Sequence, residues 1–260
     1  MSSKFSNLGD RMKGYEAVTD FVLMPRTPLV IRCDGKSFHS FTKKEKFKKP
    51  FDETFSTCME KTLFNTAKEL QGCVFGYTMS DELTFVLRND QSLEANPWFG
   101  NRVQKLCSIA ASSATRNFVL TLPYVNFPIT FDARIFTLPS TDEVINNLIW
   151  RQRECVRNSI NMASEYLLSD KLGRKTALKL LIGKKGKERQ ELMFQQCGKN
   201  WSTYPESFKN GIMCYKKEEK EGEVARKVFV TSSAFDFVTN REKLLDILNN
   251  IKIDALLTKL

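Results

Sequence analysis

Residues 73–88 read CVFGYTMSDELTFVLR, two runs rich in Val, Phe, Tyr and Thr around Met79, Ser80, Asp81 and Glu82. This is the composition of a β-hairpin whose tip carries two carboxylates. Upstream, TPLVIRCDG (27–35) is a β-branched apolar run stopped by Asp34 and Gly35, which predicts a buried strand ending in a turn. Between strand and hairpin, Pro50 opens a stretch in which Phe51, Phe55, Met59, Leu63, Ala67 and Leu70 recur at helical spacing, closed by Gly72, with Asp52 and Glu53 at the anion-favouring start. Downstream, Pro97 begins a second helical pattern with Val103, Leu106, Ala110, Ser113 and Ala114 on one face, and PITFDARIFTLP supplies a strand from about Ile129 to Leu138. The order strand, helix, strand, strand, helix, strand is the ferredoxin-like βαββαβ arrangement, an antiparallel sheet with both helices on one face.

The fold class expected is therefore α+β, a polymerase-type palm with a C-terminal helical and β-hairpin extension. Ser140 and Glu143 form a capping box ahead of a long helix through Val144, Leu148, Cys155, Ile160, Ala163 and Leu167. Eight basic residues follow between Lys171 and Arg189, then strands near Gly211–Lys217 and Lys227–Ser232 and a final helix from Arg241 to Leu260 with a broad apolar face. Residues 1–140 read as the palm-like catalytic unit and 141–260 as the extension packed on it.

Forty Lys and Arg against thirty Asp and Glu leave a formal charge of +10 in 260 residues, which favours a polyanionic partner. Seven dispersed cysteines and a single histidine support neither a disulfide framework nor a zinc site, and point to a reducing, cytoplasmic setting. No apolar run approaches the ~20 residues a membrane helix needs, so no membrane partner is expected.

In a ferredoxin-like sheet the first and third strands are central neighbours, so Asp34 and Asp81 should converge. Carboxylates so placed repel unless a cation lies between them, and two acidic ligands plus phosphate oxygens is the usual way to hold Mg²⁺; a two-metal phosphoryl-transfer site follows. Taken singly, an Asp-Gly turn or an Asp-Glu pair at a hairpin tip is ordinary solvated structure. His39, the lone histidine, lies in DGKSFHSF close to any bound triphosphate. The amides around Gly35, Lys36 and Ser37 are a candidate phosphate nest, although no Walker motif is present. Lys43, Lys44, Lys46, Lys48 and Lys49 crowd the approach to the first helix, and Arg102 and Lys105, three apart on the second, are positioned to aim two cations at a triphosphate.

The strings RCDGKSFHSF, FKKPFDE, GYTMSDELTFVL, FDARIF and WRQREC, in this order between Leu8 and Tyr215, resemble the tRNA-His guanylyltransferase family, which adds nucleotides to the 5′ end of tRNA in the 3′ to 5′ direction. The resemblance implies that Asp34, the Gly35 carbonyl and Asp81 bind two or more Mg²⁺ ions, with Glu82 needed for activity alongside the two aspartates. It implies nucleotide contacts from Asp34, Gly35, Lys36, Ser37, Phe38, His39, Ser80 and Asp81, and from Lys49, Arg102, Lys105 and Asn158. ATP and GTP or another NTP would be substrates, tRNA the partner, and a homotetramer, a dimer of dimers, the assembly, with the apolar C-terminal helix a plausible contact. Where the eukaryotic enzymes carry His-Ile-Asn-Asn-Leu-Tyr after the Cys, Val156, Arg157, Asn158, Ser159, Ile160 and Asn161 stand here. That departure is similar to the guanylyltransferase-like branch, which repairs 5′-truncated tRNA by templated addition, rather than to enzymes dedicated to the extra G of tRNA-His.

Two other readings fit the element order. An RRM-like RNA-binding module would stack bases on Phe75, Tyr77 and Phe85 and tolerate loss of Asp34. A nucleotide cyclase would use the same palm and metals without RNA.

Overall fold

The computed structural model describes residues 7–90, 94–122, 124, 126–221 and 224–249. Its centre is one six-stranded antiparallel sheet in the order β4-β1-β3-β2-β5-β6, from β1 (Leu29–Gly35), β2 (Cys73–Met79), β3 (Glu82–Leu87), β4 (Phe131–Thr137), β5 (Ile212–Glu221) and β6 (Val224–Ser233). The first four strands occupy the ferredoxin-like positions. The C-terminal hairpin joins the same sheet, with Phe75 opposite Tyr215 and Thr78 opposite Ile212.

Among the helices, α1 (Leu8–Ala17) and α2 (Phe38–Lys44) were not expected from the sequence. The N-terminal α1 buries none of its residues, and the seven-residue α2 is too short to show a period. The helix expected from Pro50 is α3 (Glu53–Glu69); Asp52 caps it by accepting from the Phe55 amide and also holds the Lys48 amide. The helix expected from Pro97 starts later, as α4 (Val103–Thr121), because a 3-10 turn at Trp98–Asn101 contains three consecutive residues with positive φ, Phe99, Gly100 and Asn101. Ser140 caps the 32-residue α5 (Thr141–Leu172), and α6 (Arg174–Leu181), α7 (Gly186–Cys197), α8 (Glu206–Asn210) and α9 (Arg241–Asn249) follow.

Strand alternation splits the core into two layers. Leu29, Ile31 and Cys33 of β1 with Leu83, Phe85 and Leu87 of β3 pack under α3 and α4, through Met59, Leu63, Leu106, Ala110 and Phe118. On the other face Phe75, Tyr77 and Val86 meet Val144, Ile145 and Leu148 of α5 and Leu244 and Leu248 of α9. Leu244, Leu245, Ile247 and Leu248 pack into the protein's own core, one of the two uses, packing or a subunit contact, that the apolar face suited; the rest of that sequence pattern, to Leu260, lies outside the described residues. Phe75, Tyr77 and Phe85 are at most 1% exposed, so the stacking surface an RRM needs is absent there. Among the described residues no helix is long and apolar enough to cross a membrane.

Candidate active site

The hairpin tip and the end of β1 are tied together. Met79 pairs with Glu82, leaving Ser80 and Asp81 as a two-residue turn with Ser80 at φ 51, and the Gly35 amide donates to the Asp81 carbonyl at 3.0 Å. Asp34 stands opposite Glu82 on one side and Asp132 on the other. The expected convergence of Asp34 and Asp81 is thus present. A Cβ at Gly35 would run into the Phe38 ring, so a side chain there would force that ring to shift.

Burial pushes the Asp81 carboxyl above the usual aspartate range; the neighbouring Asp34 and Glu82 charges add to this, and the Ser80 hydroxyl, donating at 3.0 Å, opposes it. Glu82 is also pushed up by burial, against the pull of Arg151. Its carboxylate is engaged: Arg151 on α5 donates to it twice, at 2.7 and 2.6 Å, with both side chains about nine-tenths buried. Glu82 therefore sits beside the aspartates as one half of a bidentate ion pair, an arrangement the sequence alone did not disclose.

Asp81 opens into a cleft of about 290 Å³. Phe38, His39 and Thr42 of α2 line one side, Lys48 and Lys49 the mouth, and Asn158, Ser159 and Met162 of α5 the far wall. Ser80 is also in the lining, so His39, Lys49, Ser80, Asp81, Phe38 and Asn158 come together as the sequence suggested. Phe208 of α8 and Phe51, stacked at 4.6 Å and 14°, form an apolar floor that the sequence reading missed; only the pairing of β5 with β2 brings α8 here.

Two expectations are not met within the single chain. The Gly35 amide is engaged by Asp81 and the Lys36 amide by Thr130 (2.8 Å), so those two members of the proposed nest are closed to phosphate. Arg102 and Lys105 do not join the cleft of their own chain. They begin α4 near Leu23 and Leu29, at the end of the sheet opposite Asp34, where Arg102 pairs with Asp20 at 3.2 Å and Lys105 lies over the Phe99 ring. Among the described residues no group of three or more His, Cys, Asp or Glu side chains forms a ready metal cage. Two hard carboxylates and a backbone carbonyl at the turn are nonetheless the donor set that suits Mg²⁺ sharing its remaining positions with phosphate.

A palm sheet with paired aspartates at one edge of the central strands marks the class of palm-type nucleotidyltransferases. The profile described as tRNAHis guanylyltransferase matches residues 9–139, and that of the Thg1 C terminal domain matches 142–251. A probable tRNA(His) guanylyltransferase of Drosophila melanogaster is 31% identical over 218 residues, 81% of this chain and 74% of its own. The chain spans 38% of a longer relative, tRNA(His) guanylyltransferase 2 of Arabidopsis thaliana, at 30% identity over 77% of this chain. A bacterial tRNA(His) guanylyltransferase-like protein solved in complex with ATP superposes with a TM-score of 0.81 at 30% identity, covering 93% of this chain and 99% of its own. The chain belongs to the tRNA(His) guanylyltransferase family of nucleotidyltransferases.

Proposed function

We propose that the protein extends the 5′ end of tRNA in the 3′ to 5′ direction, repairing 5′-truncated acceptor stems against the opposite strand. The observation that carries this is the joining of the β1 end to the hairpin tip, which puts Asp34 beside Asp81, a carboxylate that lines a cleft with Lys48, Lys49 and His39. In support, the neighbouring bacterial structures were solved with ATP and with GTP. Residues 1–140 supply the carboxylates and 141–260 the Asn158 wall and the Phe208 floor.

The reading assigns each group a task. Asp34, the Gly35 carbonyl and Asp81 would hold Mg²⁺, whose chemistry when bound is to lower the pKa of a hydroxyl and to neutralise phosphate. Lys48 and Lys49 balance triphosphate charge, Phe51 and Phe208 offer an aromatic surface to the base, and Asn158 and Ser80 supply hydrogen bonds at the wall. ATP first adenylylates the 5′-monophosphate end with release of pyrophosphate; the 3′-hydroxyl of the incoming NTP then attacks that phosphate and AMP leaves. Base choice then comes from pairing with the template strand, while the protein reads shape and phosphates.

Templated repair is favoured over dedicated G addition because Val156–Asn161 replace the histidine-bearing motif, and their Asn158 and Ser159 face the cleft. The test is incorporation of each NTP into 3′-labelled tRNA lacking its first nucleotide, beside intact tRNA-His, with Mg²⁺ and ATP. Addition that follows the opposing base supports the reading. Addition of G to tRNA-His alone selects the dedicated enzyme, and tRNA binding without addition removes the catalytic reading.

A further inference from the structure

Asp34 has two flanks, one toward β3 and one toward β4. Toward β3 lie the hairpin tip and the cleft; toward β4, the edge strand of the sheet, Asp34 faces Asp132, and two residues back Arg32 faces Arg134. Paired residues share a face, so Asp34, Asp132, Arg32 and Arg134 form one patch on the layer that carries α5. The side chains of Asp132 and Arg134 are 62% and 54% exposed, so this part of the sheet is an open shelf.

One wall of the shelf is Trp150 of α5. Half of this large residue is exposed (50%), with the Arg32 guanidinium 5.8 Å from the indole centroid and that of Arg151 at 4.6 Å. Arg151 is engaged by Glu82, and the 3.8 Å contact of Arg134 with Asp132 is too exposed to neutralise either group. Arg32 has no ion-pair partner within 4 Å among the described residues. A half-exposed aromatic ring with the Arg32 guanidinium against it, and Arg134 in register beside Arg32, is the composition of a single-strand or strand-end binding platform.

We propose that this shelf seats the RNA end that is to be extended, with Trp150 stacking on a terminal base and Arg32 and Arg134 meeting its phosphates. The inference rests on the proposed function and deepens it by giving the second substrate a place: the NTP lies on one flank of Asp34 and the RNA end on the other. From Arg32 to Asp34 the strand covers about 6.6 Å, so a phosphate held at Arg32 is within one or two nucleotide steps of the reacting end. These are positioning residues. A purely structural role for Trp150, shielding the Arg32 stem, predicts no dependence on RNA.

The test compares wild type with Trp150→Ala, Trp150→Phe and Arg134→Gln, using tRNA lacking its first nucleotide and labelled at its 3′ end. Equilibrium binding is followed by anisotropy across a salt series, and KM is measured separately for tRNA and NTP. Trp150→Ala should weaken tRNA binding and raise its KM by at least about fivefold, with KM for NTP within about twofold, and Trp150→Phe should restore most of the loss. Arg134→Gln should lower the salt slope of log K by about 0.7–0.9. Unchanged tRNA affinity and slope in these variants overturns the shelf, as does an equal rise in both KM values. If wild type binds tRNA but adds no nucleotide, the proposed function fails while the binding series still decides the shelf. Absence of tRNA binding by wild type overturns both.

Discussion

Replacing Arg151 by Met tests whether Glu82 is held by its ion pair. Two hydrogen bonds, at 2.7 and 2.6 Å, join side chains of which only 12% and 11% is exposed. Removing one member of such a pair costs roughly 3–5 kcal/mol, because the other charge stays buried without a partner. At about 2–4 °C per kcal/mol for a chain of this size, the melting temperature should fall by ~6–20 °C. Burial already raises the Glu82 carboxyl and Arg151 opposes that, so in the variant it must rise further. A carboxyl whose folded pKa exceeds its unfolded one binds more protons when folded, so stability falls as pH rises from about 4.3 to the raised folded value. The deficit of Arg151→Met measured by urea unfolding should therefore be large at pH 8 and clearly smaller near pH 4.5. A loss below about 1 kcal/mol at pH 8, or the same loss at both pH values, would refute the reasoning. The double variant Glu82→Leu with Arg151→Met should recover stability, since an apolar replacement of a buried pair is often neutral or better. If nucleotide addition recovers as well, Glu82 is structural; if it stays lost, its charge is needed beside the aspartates.

Asp81→Asn should remove templated addition yet raise the melting temperature at pH 7 in EDTA: burial raises the Asp81 carboxyl, so its ionised form destabilises the fold above about pH 3.9, and no gain should remain at pH 3. Stabilisation by Mg²⁺ should be present in wild type and absent from this variant in the same melts. Gly211→Ala places a Cβ 2.6 Å from the Thr78 carbonyl at φ +83, where only glycine is at ease, and should cost at least ~2 kcal/mol in urea unfolding; a loss within 0.5 kcal/mol would contradict the packing seen there. Reversing the exposed Lys175, Lys179, Lys185 and Lys187 to Glu should weaken tRNA binding and flatten its salt dependence, and an unchanged slope would remove the α6–α7 face as an RNA surface.

The sheet was legible because hairpin chemistry and strand alternation are local. Met79 to Glu82 announce a turn, and the order of elements then leaves the sheet few arrangements. Asp34 and Asp81 followed from that topology alone. That Arg102 and Lys105 stand away from the cleft of their own chain follows from the same topology: β3 leaves the tip at Glu82 and ends at Leu87, so the helix after it begins at the far end of the sheet. Helical phase identifies a face and is silent on position along the axis. The Glu82–Arg151 pair spans 69 residues and depends on how α5 crosses the sheet. The Phe208 floor depends on β5 adding beside β2, a pairing that no local pattern specifies. Of the eight basic residues between Lys171 and Arg189, Arg189 turns inward to the Lys184 carbonyl and the Ser164 hydroxyl, and Lys171 donates to the Gln196 carbonyl, which charge density could not separate from solvated neighbours.

Asp81 and Glu82 are consecutive carboxylates, both raised by burial, and their surroundings differ. Glu82 is the first residue of β3, and its side chain meets the guanidinium that α5 holds over the sheet, which makes its charge a fixed part of the structure. Asp81 is a turn residue whose side chain accepts from the Ser80 hydroxyl. Among the described residues it has no ion-pair partner, and it lines a cleft with Lys48 and Lys49. In a protein with ten more basic than acidic residues, leaving an aspartate pair unneutralised is a choice of location. Lys48 and Lys49 line the cleft with Asp81, and Arg32 and Arg134 stand opposite each other two residues back from Asp34 and Asp132. An arginine on Asp81, of the kind Glu82 has, would occupy the carboxylate that the proposed function gives to a divalent ion.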